Sequence, residues 1–211
     1  MKLVAGHWIG MTVLLLGAMT VMATDEAKYT LVEKSGDFEI RDYDRQILVE
    51  TIVDSSLEEA GNVAFGRLFR YISGDNQSSN TIAMTAPVSQ EAHGEKIAMT
   101  APVGQQKAKI GWAISFMMPS NYTLKTLPTP TDPTLTAREI PARRIAAVRY
   151  SGTWSQSGYV SNKERLESWI RDKGLTATGD SVWARYNPPF TLWFLRRNEV
   201  LIPVGKQEGK D

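Results

Sequence analysis

The chain has 211 residues, 42% hydrophobic and 22% charged, with no cysteine and a formal net charge of +1. That length suits one domain with a sizeable core. The lack of cysteine excludes disulfides, thiol nucleophiles and thiolate-held metals, and a neutral body without a basic block predicts no nucleic-acid partner.

Lys2 is the only charged residue among the first 23, so the remainder carries 23 basic and 23 acidic residues (24 − 1 basic). An apolar run covers residues 8–22, Val21 and Ala23 stand three and one before a break, and Thr24-Asp25-Glu26 turns polar. This is the three-part layout of a secretory signal peptide, and it predicts cleavage after Ala23. Residues 3–22 are also nearly long enough to span a bilayer, so an uncleaved anchor is the alternative. On either reading the body is exported, to the periplasm or the medium, and no later segment is apolar enough to cross a membrane.

Residues 29–33, 38–43 and 47–53 read as strands, separated by turns at Ser35-Gly36-Asp37 and Asp44-Arg45. In "FEIRDY", Phe38, Ile40 and Asp42 alternate with Glu39, Arg41 and Tyr43. The pattern is that of a half-buried strand, although Asp42 breaks the rule. A helix follows. Ser55 or Ser56 can cap it, with Glu58 or Glu59 completing a capping box. Leu57, Ala60, Gly61, Ala64, Leu68, Tyr71 and Ile72 share one face at helical spacing, and Gly74 stops it. Phe65 and Phe69 lie one turn apart at the edge of that face. They read either as flanking core or as the floor of a pocket.

The heptapeptide "IAMTAPV" occurs at 82–88 and again at 97–103. With 89–96 as a hairpin loop, symmetric pairing sets Ile82 against Val103, Met84 against Ala101, Ala86 against Met99 and Val88 against Ile97. Each long Met then meets a short Ala on one inward face, and Thr85 meets Thr100 on the other. The pairing explains the repeat without a ligand, with Met84 and Met99 inside. The prolines place these strand ends at a sheet edge or bulge.

Residues 112–118 form a further strand, and four prolines within 119–133 predict an extended linker. Beyond it the order repeats. The segment 135–150 parallels 38–52, with Arg138-Glu139 at the place of Arg41-Asp42. A helix near 157–173 carries Tyr159, Leu166, Trp169 and Ile170 on one face and stops at Gly174. "VWARYNPP" then takes the place of "IAMTAPV", proline ending included, and "FTLWFLRRNEVLIPV" reads as two strands joined by a turn at Arg197-Asn198. After the signal peptide (1–23), residues 24–211 are expected to form one α+β domain of two duplicated halves, 29–118 and 134–204.

The segments "RLFRYISGDNQ", "IAMTAPV", "PTDPTLTAREIPARRIAAVRYSG" and above all "ARYNPPFTLWFLRRNEVLIPV" resemble the SOUL heme-binding protein family, over residues 29–204. The resemblance implies a distorted antiparallel barrel or pair of sheets flanked by two helices, with a pseudo-two-fold relation. It also implies noncovalent binding of heme and other tetrapyrroles in a surface cleft lined by the first helix and the loop after "NPP". Carried onto this chain, the cleft residues are Asn62, Phe65, Phe69 and Arg70 of the helix, with Phe190, Leu192 and Trp193 of the loop. Stacking Phe beside an Arg suits a flat apolar plate with two carboxylates. Asn62 and Leu192 stand where the family can place basic residues, and Arg70 lies about 100° from Phe69 on an ideal helix.

Iron ligation is poorly provided for. His7 and His93 are the only histidines, one in the signal segment and one in the hairpin loop. The expectation is therefore weak, exchangeable heme binding without a strong axial ligand. No catalytic or metal site is expected, since no nucleophile elbow, phosphate loop or metal-ligand spacing occurs. A general apolar carrier, an unrecognised hydrolase on the same fold, and a purely structural module of the cell envelope are the alternatives.

Cleavage after Ala23 sets the mature mass. Intact-mass measurement of protein from its native host should find a chain starting near Thr24. A mass that retains 1–23 would show an anchored form instead.

Overall fold

The computed structural model describes residues 25–78 and 94–206. The first copy of the heptapeptide, with Met84, and the loop that carries His93 lie outside them. Three strands open the fold: β1 (Tyr29–Ser35), β2 (Phe38–Tyr43) and β3 (Gln46–Val53). Helix α1 (Leu57–Ile72) follows, then β4 (Val103–Lys107) and β5 (Trp112–Met117). The second half comprises β6 (Thr136–Ile140), β7 (Arg143–Tyr150), α2 (Gln156–Asp172), β8 (Val182–Arg185) and β9 (Asn198–Lys206).

Local chemistry fixes both helices. The Ser56 hydroxyl accepts from the Glu59 amide at 3.2 Å, and the Ser155 hydroxyl accepts from the Gly158 amide at 3.2 Å. Each cap satisfies an amide that the first turn would otherwise leave unpaired. Gly74 and Gly174 take positive φ (116° and 66°) just past the ends, a conformation that costs other residues a clash at Cβ. Every residue expected on the inward face of α1 is buried. On α2, Tyr159, Leu166 and Ile170 are buried, while half-buried Trp169 stacks on Phe38 at 5.2 Å.

The strands form one antiparallel sheet in the order β6-β3-β5-β4-β8-β9-β7-β2-β1. Its ends, β6 and β1, do not pair, so the sheet is open rather than closed into a barrel. The order reads alike from both sides of the central β4–β8 pair: β4-β5-β3 on one side, β8-β9-β7 on the other. Helix α1 packs on β3 and β5, and α2 on β7 and β9, so both helices cover the same face. In β3 the alternation is regular: Ile47, Val49, Thr51 and Val53 are buried on the helix side.

Three expectations need correction. Met99 is 39% exposed, whereas Ile97, Thr100 and Ala101 are buried. Ile97 donates its amide to the Ile72 carbonyl at the end of α1, and the Thr100 hydroxyl donates to the Met117 carbonyl. Those anchors are three residues apart, so strict alternation fails and Met99 turns outward. Thr100–Ala101 pairs in parallel with Asp25–Glu26, and Val103 is flanked by Phe116 and Arg185. Second, Arg197-Asn198 is not a turn between strands. Residues Trp193–Leu195 form a 3₁₀ turn, and β9 begins at Asn198. Third, β2 is buried on both faces, because Arg41 and Tyr43 are as enclosed as Ile40.

The partner that encloses Arg41 is Glu199 of β9. The guanidinium donates Nη1 to Oε2 at 2.6 Å and Nη2 to Oε1 at 3.0 Å. Glu199 is 0% exposed and also accepts from the Tyr186 hydroxyl at 2.8 Å and Arg197 Nε at 3.0 Å. Arg41 continues to Glu39 at 2.8 Å, and Arg197 to Glu26 at 2.8 Å. Burial opposes ionisation of Glu199, but the hydrogen bonds and charge of Arg41, then Arg197 and Tyr186, outweigh it and hold the carboxyl below its usual range. Breaking such a pair leaves an uncompensated buried charge. Glu199→Gln should therefore cost about 3–5 kcal/mol at neutral pH. A depressed folded-state pKa gives stability that is present above the unfolded value of 4.5 and lost as pH falls through the folded one. Melts from pH 7 to pH 3 should show the gap between wild type and Glu199→Gln shrinking below about pH 4.5. A gap constant across that range would contradict a charge-based role.

Candidate functional site

Helix α1 exposes an aromatic edge. Phe65 and Phe69 are 38% and 47% exposed, and their rings stack at 5.9 Å with planes 12° apart. Phe65 also meets buried Phe116 of β5 edge-on at 5.4 Å, which fixes its ring against the sheet. Asn62 is exposed on the same side of the helix. Arg70 folds back along α1 until its Nη1 lies 4.0 Å from where a Cβ on Gly66 would stand.

The loop after "NPP" is a second apolar patch. Phe190 is 85% exposed, and Leu192, Trp193, Phe194 and Leu195 are also exposed. Each such side chain forgoes about 1.5–3 kcal/mol of burial. The loop is nevertheless tied down. Arg196 donates Nε to the Thr191 carbonyl at 2.8 Å and Nη2 to the Pro189 carbonyl at 2.7 Å. The Gly152 amide donates to the Trp193 carbonyl at 3.0 Å, and the Arg197 amide to the Asn187 side chain at 2.6 Å. An apolar surface held out by such bonds is a candidate binding surface.

Among the described residues no ring contact links Phe65 or Phe69 to Phe190 or Trp193. What lies between is a pair of residues that sequence reasoning missed, Trp154 and Arg185. Arg185 shares the helix-side face of β8 with Trp183, and its guanidinium passes under α1, where a Cβ on Gly61 would come within 2.7 Å of Nη2. It lies over the Trp154 ring at 5.2 Å, and Arg196 covers the same ring at 4.4 Å. Trp154 thus meets two cations, with its indole donating to Asn198 at 2.9 Å. Arg185 donates to the Gln105 side-chain carbonyl, and Gln105 in turn donates to the Leu57 carbonyl at 2.6 Å.

Arg185 has no carboxylate partner among the described residues. Burial pushes its guanidinium down to about 10, opposed only by the nearby Tyr150. Its Nε is buried without a hydrogen bond, and beside it the Trp183 indole and the Tyr150 hydroxyl have only each other. A half-buried guanidinium with an idle Nε and no acid partner favours an incoming anion. The sequence held one hint, an Arg two residues after a Trp in "VWARY". Nothing in it indicated that the partner would be an amide rather than an acid.

Residues 24–203 match the sequence pattern of the SOUL heme-binding protein family. The chain belongs to that family. It is 30% identical to heme-binding protein 1 of Xenopus tropicalis over 80% of this chain and 84% of that one. Heme-binding protein 1 of Mus musculus is 25% identical, over 72% and 75%. Solved structures are similar in fold at low identity. The crystal structure of the EcmrR C-terminal domain aligns with TM-score 0.55 and 13% identity, over 85% of this chain and 99% of that one. A hydrolase from Listeria innocua aligns with TM-score 0.52 and 8% identity, over 82% and 94%. These two likenesses establish the fold alone. Family membership agrees with the two-helix, antiparallel layout, and no helix among the described residues is long and apolar enough to cross a membrane.

Proposed function

We propose that this chain binds heme and related tetrapyrroles noncovalently on its helix face, between the aromatic edge of α1 and the 190–195 loop, as a binding protein rather than an enzyme. The observation that carries the reading is the exposed, stacked Phe65/Phe69 pair on a helix that also covers a half-buried guanidinium without an acid partner, in a chain of a heme-binding family. Phe65 and Phe69 supply a face for the macrocycle, and Trp193 and Phe190 supply its cover. Arg185 and Arg70 supply cations for the propionates. The idle Nε of Arg185 fits a carboxylate, so the residues present suit the ligand.

The layout of residues 1–23 supports export, and with it carriage or buffering outside the cytoplasm. The two halves of matching strand order support an origin by duplication, with α1 and α2 as counterparts. A general carrier of flat apolar molecules is the second reading, favoured by the breadth of the exposed loop.

Covering about 200 Å² of porphyrin at about 25 cal/mol per Å² contributes near 5 kcal/mol before association costs. A charged hydrogen bond to a propionate adds about 1.5–3 kcal/mol. Neither contribution involves iron. Titrations followed by absorbance and Trp quenching should show protoporphyrin within about tenfold of hemin. Phe69→Ala should weaken both alike, and His93→Ala should change little. Arg185→Met should weaken hemin about tenfold while leaving the dimethyl ester, which lacks the acid groups, unchanged. Loss of hemin alone in His93→Ala would show that iron ligation dominates. Equal loss of acid and ester in Arg185→Met would show a packing role. Retained dye binding without a Soret shift would favour the general carrier.

A further inference from the structure

The sheet face turned away from the helices holds a cavity of about 380 Å³, distinct from the surface described above. Its walls come from both halves of the sheet. Leu48 of β3, Met117 of β5 and Leu201 and Pro203 of β9 give it an apolar lining. The volume lies in the range of small-molecule pockets and toward its lower end.

Its lining carries two acids, Glu50 and Asp180, and two arginines, Arg138 and Arg143, and only one pair of them is joined. Glu50 is taken by Arg138 at 2.9 Å. Glu199 lies on the same face of β9 as Leu201 but is neutralised by Arg41 and Arg197. Asp180 lines the cavity as an exposed residue. Arg143, at the start of β7, lines it too, and no carboxylate among the described residues pairs with it. Its Nε is buried without a hydrogen bond. Besides burial, the influences on it are the like charge of Arg138 and the phenol of Tyr43, opposite it in the ladder. A half-buried guanidinium with an idle donor and no acid partner favours an incoming anion.

We propose that this cavity is a second ligand site, which takes a small amphiphile with one carboxylate. Arg143 pairs with the acid group, and the apolar body lies along Leu48, Met117 and Leu201. The chemistry of recognition is that of a single medium-length aliphatic or aromatic acid. A tetrapyrrole brings two acids and a broad rigid plate, which suits the exposed aromatic patches of the helix face instead. The two sites therefore lie on opposite faces of one sheet and load independently.

Dodecanoate is a suitable probe, with dodecanol as its uncharged match, measured by calorimetry on the mature chain. Dodecanoate should bind one to one, and Arg143→Met should weaken it by about tenfold or more while dodecanol binds wild type and variant alike. Leu201→Trp, which fills the cavity, should abolish both. Thermal melts of each variant check that it is folded, and the result from whichever variant folds decides. Saturating hemin should leave dodecanoate affinity within about twofold, since loading at separate faces adds independently. Wild-type dodecanoate affinity in Arg143→Met, unchanged binding in Leu201→Trp, no binding at all, or stoichiometric displacement by hemin would each overturn the proposal. The Arg143 comparison stands whether or not hemin binds, so failure of the helix-face site is distinguishable.

Discussion

Glu199 is the constraint on which the sheet depends. A carboxylate with no solvent exposure is tolerable only where cations meet it, and Arg41 and Arg197 do so from two directions. The pair closes 158 residues of chain, ties β2 to β9 across the intervening β7, and reaches through Arg197 to Glu26 near the start of the described chain. A slip of one residue in β9 would turn Glu199 to the helix side and put Val200 in its place. The charges therefore fix register as well as adding energy.

That register decides what each face presents. On the helix side, buried Val200, Ile202 and Val204 receive α2, while the inner residues of β3 and β5 receive α1. The central β4–β8 pair lies under neither helix alone, and its polar residues Gln105 and Arg185 occupy the valley. Gly61 has no side chain to block them. On the other side, Leu201 and Pro203 face the open cavity beside Arg143. Arg185 on one face and Arg143 on the other each keep a buried Nε without a hydrogen bond and have no carboxylate partner among the described residues. Glu199, Glu50, Glu139 and Asp42 are each held by other arginines.

The sequence made regular elements legible wherever a single period governed the residues. The inward face of α1 and the alternation of β3 follow from spacing alone, and the serine caps and glycine stops are local chemistry. The segment after "NPP" was misread because five apolar residues within 190–195 look like a strand, whereas Arg196 binds the loop's own carbonyls and curls it outward. Met99 was misread because anchors at Ile97 and Thr100 override alternation. In the site, the Phe65/Phe69 edge was visible because two large apolar residues lay off the centre of a helical face. Arg185, Trp154 and Arg143 were not visible. Their significance is the absence of an acid neighbour, a property of residues distant in sequence, and an arginine in a strand reads locally as a solvated charge.

The central claim is that tetrapyrrole sits on the helix face and nowhere on the open face. Amide chemical-shift mapping with iron-free protoporphyrin, which spares the signals from paramagnetic broadening, tests it most directly. Shifts should concentrate in 61–70, 152–155 and 189–197, and the amides of 46–50, 113–117 and 201–203 should remain in place. Shifts centred on the latter segments, with 61–70 and 189–197 undisturbed, would contradict the account.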